Sequence, residues 1–195
     1  MVYQFKIKLK DISKPPVWRR VEVPALFNFI DFNKVIQLAF GWQNAHLWNF
    51  TDRKDMFGRE TLRIAEPSEY DGDYDAPTTD AAKVTLMEIF SSRKSLTYVY
   101  DFGDYWIHEI TVEGVLMEDR PVAFCTEGKG ATPPEDCGGV GGYEALKMSF
   151  ETNDSEVKSY REWLGMKKDE TWDPADFNSK DLRYINSALL MMHED

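Results

Sequence analysis

Tyr3, Phe5, Ile7 and Leu9 alternate with Gln4, Lys6, Lys8 and Lys10. A period of two sends successive side chains to opposite faces of a strand, so this segment has one buried and one wet face. Lys14-Pro15-Pro16 breaks the strand, because proline has no amide hydrogen to give to a ladder. Trp18 to Val23, with β-branched Val21 and Val23, reads as a second strand ended by Pro24 and antiparallel to the first. Asn28, followed three residues later by Asp31, then marks a helix start: the amide side chain accepts from an orphan N–H, and the carboxylate suits the positive helix end. Phe29, Phe32, Val35, Ile36 and Ala39 form an apolar stripe at helical spacing, and Gly41 supplies the stop.

The rest of the chain continues in the same style. His46 to Thr51 reads as a third strand, and 52 to 80 as a polar, acidic loop. Asp71, Asp73 and Asp75 alternate as hard oxygen ligands for calcium do, but the other positions of an EF-hand loop are missing. Val84 to Phe90 reads as a short helix. Leu96 to Asp101 and Tyr105 to Leu116 read as strands joined at Gly103-Asp104, a dipeptide suited to a two-residue hairpin. Val122 to Cys125 extends the sheet, and Thr126 to Gly142 is a Gly- and Pro-rich loop of the length that in a compact domain is often functional. Tyr143 to Phe150, Glu156 to Leu164 and Lys180 to Met192 read as helices, with Trp172-Asp173-Pro174 as a breaker. The expected architecture is α+β: a curved, roll-like, mostly antiparallel sheet with packed helices and a helical C-terminal region. At 195 residues, 43% hydrophobic and 14% aromatic, the chain can bury well over half of its unfolded surface. One domain over 1–195 is expected, sheet-rich to about 126, looped over 126–142 and helical over 143–195.

Charge narrows the partners. A net charge of −11, from 34 acidic and 23 basic residues, disfavours long-range attraction to nucleic acid or to an anionic membrane. The best candidates for a basic patch are Lys6, Lys8 and Lys10 with Lys14, Arg19 and Arg20, but Asp11 and Glu22 interrupt them, and they read as solvated strand faces. No stretch approaches the ~20 apolar residues of a membrane helix. The chain opens on an amphipathic strand where a signal peptide would carry an apolar run, so a cytoplasmic protein with reduced Cys125 and Cys137 is expected.

Several residues could carry chemistry. A two-residue Gly103-Asp104 turn would set Asp101 opposite Trp106 and Val99 opposite His108. Asp101 would then lie diagonal to His108, within about 7–8 Å at the backbone, where a carboxylate can orient an imidazole. The other reading of His108 is a core histidine, hydrogen-bonded among Trp106, Ile110 and Val112. Asp104 falls in the turn and is assigned to local backbone bonding. Glu135 and Asp136 follow Pro133-Pro134, which stiffen the chain, and precede Gly138-Gly139, which let its backbone approach another surface closely. Convergence of this pair with His46, Asp101 and His108 would suit a divalent cation and metal-assisted hydrolysis of a phosphoester. By residue type, Cys125, Cys137, His46 and His108 also make a Cys2His2 zinc set, although the cysteines lack the short spacing of structural zinc sites. Serine-hydrolase, phosphate-loop and dinucleotide motifs are absent. Trp18, Trp42, Trp48, Tyr98, Tyr100, Tyr105 and Trp106 are more aromatics than one small core is expected to bury; they point either to an exposed groove or to the ordinary preference of sheets for aromatics.

Pro16-Val17-Trp18-Arg19-Arg20-Val21-Glu22-Val23-Pro24, Gly41-Trp42 with His46-Leu47, the block Tyr100 to His108, and Pro133-Pro134-Glu135-Asp136-Cys137-Gly138-Gly139 stand in one order along the chain. Together they resemble the root-inducing-plasmid (pRi) ORF-3-like family, whose members are sometimes labelled transposon passenger or resolvase-like proteins. The likeness runs from about Tyr3 to Asn186 and takes in Glu162-Trp163-Leu164-Gly165 and Asp173-Pro174 with Phe177. It implies an α+β roll and brings no established activity; the clustered arginines of a recombinase site are absent. Asn33 and Trp48 stand where relatives often have His, Thr132 where many have Cys, and Gly141 where Trp is common, which argues against a metal site built from those positions here.

These readings lead to a binding or interaction module without catalysis. Its candidate surface is His46, Asp101, Asp104, Trp106, His108, Glu135 and Asp136, its partner an unidentified protein or small ligand, and no cofactor is assigned. The alternatives are a metal-dependent hydrolase or nuclease acting on phosphoesters, and a nucleic-acid-binding accessory protein of mobile elements.

Overall fold

In a computed structural model, all residues are described except 55–56, 70–73, 75, 169, 193–195 and the side chain of Ser179. Strands β1 (Val2–Leu9) and β2 (Trp18–Pro24) are followed by helix α1 (Phe29–Phe40), then β3 (Trp48–Thr51), β4 (Arg63–Ala65), β5 (Thr78–Asp80) and the short helix α2 (Leu86–Phe90). Strands β6 (Ser95–Tyr100), β7 (Trp106–Leu116) and β8 (Phe124–Lys129) precede helices α3 (Gly139–Thr152), α4 (Val157–Trp163) and α5 (Ser179–Met191). The eight strands form one sheet in the order β5-β4-β3-β6-β7-β1-β2-β8, antiparallel throughout except for the β4–β5 pair. The α+β architecture is as the periodicity implied. The acidic alternation at Asp71, Asp73 and Asp75 lies outside the described residues.

Local chemistry explains the opening. The inward residues of β1 (Tyr3, Phe5, Ile7 and Leu9) are buried, and the lysines between them are partly exposed. Asn28 caps α1 by accepting from the Asp31 amide at 2.9 Å, and Gly41 closes it in the left-handed conformation with φ 75°. The apolar stripe of α1 lies on the sheet: Phe32 is 4.9 Å from Phe5 and 5.4 Å from Phe50, centroid to centroid, and Phe29 is 4.9 Å from Phe50. Burying each such ring contributes roughly 1.5–3 kcal/mol, and the ring pairs add to that.

Several expectations change. Strands β4 and β5 lie within 52–80, which the composition had assigned to a loop, and α3 begins at Gly139, inside the expected 126–142 loop. The third strand begins at Trp48, so His46 sits in the loop before it. Strand β8 takes in Thr126 to Lys129, which the composition had assigned to the loop. Five of the seven aromatics singled out (Trp42, Trp48, Tyr98, Tyr100 and Trp106) are buried, so they do not form an exposed groove; four of them lie on strands, as the sheet preference for aromatics implies, and Trp42 lies in the loop after α1. Most consequentially, the β6–β7 connection is Asp101 to Tyr105 rather than a two-residue turn. Asp101 and Tyr105 both adopt positive φ (55° and 58°), and the Asp101 carbonyl accepts from the Tyr105 amide. The register becomes Tyr100 opposite Trp106 and Tyr98 opposite His108. A one-residue slip exchanges the faces of a strand. The proposed Asp101–His108 diagonal is therefore wrong: Tyr98 and Tyr100, not Val99 and Asp101, share the face of His108.

A carboxylate and histidine notch

The loop after α1 is anchored on every side by polar bonds. Tyr98 donates its hydroxyl to Asn33 Oδ1 at 2.6 Å and accepts from Gln37 Nε2 at 2.9 Å. Gln37 in turn accepts from the Asn44 amide, and Asn33 donates to Asn44 Oδ1, each at 2.9 Å. Asn33 thus has a structural task in holding this loop. Trp42 stacks on Tyr100 at 4.9 Å and donates its indole N–H to the Pro133 carbonyl at 2.9 Å, which pins the Pro133-Pro134 loop to the same place. The Tyr100 hydroxyl accepts from the Ala45 amide and donates to Glu135, both at 3.0 Å, and Glu135 Oε1 also accepts from the Gln43 amide at 2.7 Å. Burial, with the Glu135 charge as a further cause, raises the Tyr100 hydroxyl well above its ordinary range, so it remains a protonated donor.

The hairpin loop comes in from the other side. Asp101 is 8% exposed, accepts from the Gly103 amide at 2.8 Å through Oδ1, and directs Oδ2 toward His46. Asp104 accepts from the Gly138 amide at 3.1 Å, and a Cβ on Gly139 would stand 2.6 Å from the Asp104 carbonyl oxygen. Only a glycine allows α3 to begin so close to the hairpin. The Asp104 carboxylate thus bonds a distant backbone amide instead of the local turn expected of it, and the close approach expected of the glycines occurs at this contact.

His46 Nε2 therefore lies 3.1 Å from Asp136 Oδ1, 3.8 Å from Asp101 Oδ2 and 4.0 Å from Glu135 Oε2. Among the described residues, His46, Asp101 and Asp136 are the one group of His, Cys, Asp or Glu whose ligand atoms all lie within 4.8 Å of one another. Two ligands at ~2.1 Å from one ion stand about 3 Å apart in octahedral and about 3.4 Å apart in tetrahedral geometry. The 3.1 Å separation already fits, the 3.8 and 4.0 Å separations need roughly 0.4–1 Å of closure, and the group as a whole, which lies within 4.8 Å, must contract around an ion.

The remaining candidates stand elsewhere. His108 is fully buried; Nδ1–H is shared between the carbonyls of Trp106 (3.1 Å) and Tyr98 (3.3 Å), and the ring is packed by Phe40 and Trp42. Burial lowers it to about 3, so it is a neutral core histidine. Trp106 is buried in the same face. Cys125 is clasped by Asn186, which accepts from its amide at 2.7 Å and donates to its carbonyl at 2.9 Å, and burial pushes its thiol up to about 11. Cys137 is pushed up to about 12 by burial, with Asp104, Asp136 and Glu135 adding to the effect. Neither thiol is poised as a thiolate, and the Cys2His2 set does not assemble. Tyr100, which braces Glu135, is the participant that sequence reasoning missed.

Known proteins similar to this chain share its fold and bring no activity. The chain is 36% identical over 148 residues to the uncharacterised protein y4hQ of Sinorhizobium fredii (strain NBRC 101917 / NGR234), covering 73% of this chain and 70% of that protein. It is similar in fold to the crystal structure of a protein of unknown function from Methanosarcina mazei Go1, with a TM-score of 0.78, 34% identity, and coverage of 93% of this chain and 96% of the other. A family model described as plasmid pRiA4b ORF-3-like protein matches residues 1–181. With more than nine-tenths of its length matched by that model, the chain belongs to the plasmid pRiA4b ORF-3-like protein family.

Proposed function

We propose that this protein is a binding module that captures one divalent transition-metal ion in the notch formed by His46, Asp101 and Asp136, with Glu135 as a third carboxylate at its edge. The observation that carries the reading is the mutual approach, within 4.8 Å, of one imidazole nitrogen and two carboxylate oxygens that come from three separate loops. One nitrogen with two or three oxygens suits Zn2+ or Mn2+ better than Mg2+ or Ca2+, which favour all-oxygen shells. Preorganisation supports it further: Asp101 is locked by the Gly103 amide, and Glu135 by Tyr100 and Gln43. The proposal is capture of the ion and does not extend to turnover.

Cytoplasmic location is part of the same proposal, since Cys125 and Cys137 are both free thiols. Among the described residues no helix is long and apolar enough to cross a membrane.

Titration calorimetry with Zn2+, Mn2+, Mg2+ and Ca2+ in turn tests the capture. The expected result is one Zn2+ or Mn2+ per chain, with His46→Ala and Asp101→Asn each weakening it by about tenfold or more. Asparagine tolerates the left-handed backbone of position 101 and can still accept from Gly103, so the second variant removes charge while keeping the loop. Zn2+ and Mn2+ uptake unchanged in both variants, or no uptake by the native chain, overturns the reading.

A further inference from the structure

Arg19 lies on β2 between Val17 and Val21, on the inward face of the alternation, and is 3% exposed. It is not the solvated strand residue that its charge suggested. Its Nε donates to the Ala39 carbonyl at 2.9 Å, and Nη1 donates to the carbonyls of Trp18 at 2.9 Å and Lys129 at 3.0 Å. Nη2 donates to the Thr132 hydroxyl at 3.0 Å. Every one of these acceptors is neutral. A guanidinium carries five N–H donors, so one hydrogen on Nη2 is left over among the described residues. The planar group is also covered by Phe177 at 4.0 Å and flanked by Phe40 at 5.2 Å. Room for Phe177 comes from Gly128, opposite Arg19 in the ladder: a Cβ there would meet the Phe177 ring at 2.5 Å and Arg19 Cδ at 2.9 Å.

A buried cation without a carboxylate bonded to it is costly, and burial accordingly lowers the Arg19 guanidinium to about 10. The group borders a cavity of about 380 Å³, within the size range of small-molecule sites. Thr132, whose hydroxyl accepts from Arg19 and keeps its own hydrogen to give, borders the same space. The lining of the same cavity also includes Asp173, Asp176 and Asp181. These carboxylates each spend one oxygen on a local turn or cap bond, to Ala175, Asn178 Nδ2 and the Asn178 amide respectively. Among the described residues, the other oxygens take no hydrogen bond. Three negative charges at the rim repel a simple anion, so the donors at the floor and the acids at the rim are satisfied together only by a molecule with both signs.

We propose that this cavity binds a small zwitterion of the α-amino-acid class, its carboxylate on Arg19 and Thr132, its ammonium facing Asp173, Asp176 and Asp181, and an apolar side chain against Trp172 and Tyr184. The site is independent of the histidine notch. Ligand-observed NMR and thermal unfolding of the full chain with L-leucine and L-phenylalanine, and with their amides and N-acetyl derivatives, test it. The free amino acids should bind, and removing either charge should weaken binding about tenfold or more. Asp173→Asn with Asp176→Asn, both on the exposed rim, should weaken the free amino acid and, by removing charges that repel an anion, leave the N-acetyl derivative bound as tightly or more tightly; Thr132→Val should weaken both. Failure of both amino acids to bind at about 10 mM, equal binding of acid and amide, or indifference to the rim variants would overturn the proposal.

Discussion

The notch and the bonding shell of the Arg19 guanidinium are out of charge balance in opposite senses. At the notch three carboxylates face a single imidazole, whereas at the cavity a single guanidinium is held by three carbonyls and a hydroxyl. Their surroundings differ as much as their signs. The Asp136 side chain is 70% exposed and that of His46 31%, so water screens the excess negative charge and costs little stability. Arg19 is 3% exposed and covered on one face by Phe177, so without a ligand its desolvation must be met by the fold itself. An imbalance tolerated in solvent is a place where an ion can come and go. One maintained in the interior is part of the architecture as well as a place for a ligand.

The largest effect should therefore come from Arg19. Arg19→Ala strands three carbonyl acceptors and empties the space under Phe177, and the loss should be about 3–5 kcal/mol in urea unfolding. The corresponding truncation at the notch, His46→Ala, should cost less than about 1 kcal/mol without metal. Equal losses at the two sites would erase the distinction between an architectural charge and an exchangeable one.

A second test uses the other histidine, which shares burial with Arg19 rather than solvent with His46. His108 stays neutral in the folded chain down to about pH 3, whereas the unfolded imidazole gains a proton near 6.5. Between these values the unfolded state binds the extra proton. The His108 contribution is thus fully present above pH 6.5 and is lost progressively as the pH falls toward 3. At pH 5 this amounts to about 2 kcal/mol. His108→Gln removes that component, so its stability should fall less steeply than the native chain's between pH 7 and pH 5. Parallel slopes would mean that His108 is hydrated or protonated in the fold.

What could be read in advance divides along the same physical line. The β1 alternation and the Asn28 and Gly41 caps depend on neighbours within a few residues, and they stand where the pattern put them. The β6–β7 register does not, because Asp101 and Tyr105 enter the left-handed region without being glycines and lengthen the turn. That choice is made by tertiary bonds such as the one from the Asp101 amide to the Leu47 carbonyl. His46, Glu135 and Asp136 were recognisable as ligand types, but their meeting depends on Trp42 reaching Pro133 and on Tyr100 reaching Glu135. Arg19 was legible and was misread: Val17, Arg19, Val21 and Val23 share one face of the alternation, and the charge was given more weight than the period.

The smallest expected effect separates the two regions most finely. Asp136 is the most exposed of the notch carboxylates and the one nearest His46, at 3.1 Å. Exposed ion pairs contribute about 0–1 kcal/mol, and Asn keeps the shape of Asp and still accepts hydrogen bonds. Asp136→Asn should therefore shift the stability of the metal-free chain by no more than about 0.5 kcal/mol. An ion that binds the folded chain stabilises it according to its concentration relative to its dissociation constant. The rise in unfolding midpoint that Zn2+ gives the native chain should accordingly shrink in the variant, while stabilisation by an amino acid at the Arg19 cavity stays intact. A large loss of stability without metal would instead make Asp136 a structural partner of His46, and the notch would then belong with Arg19 as architecture.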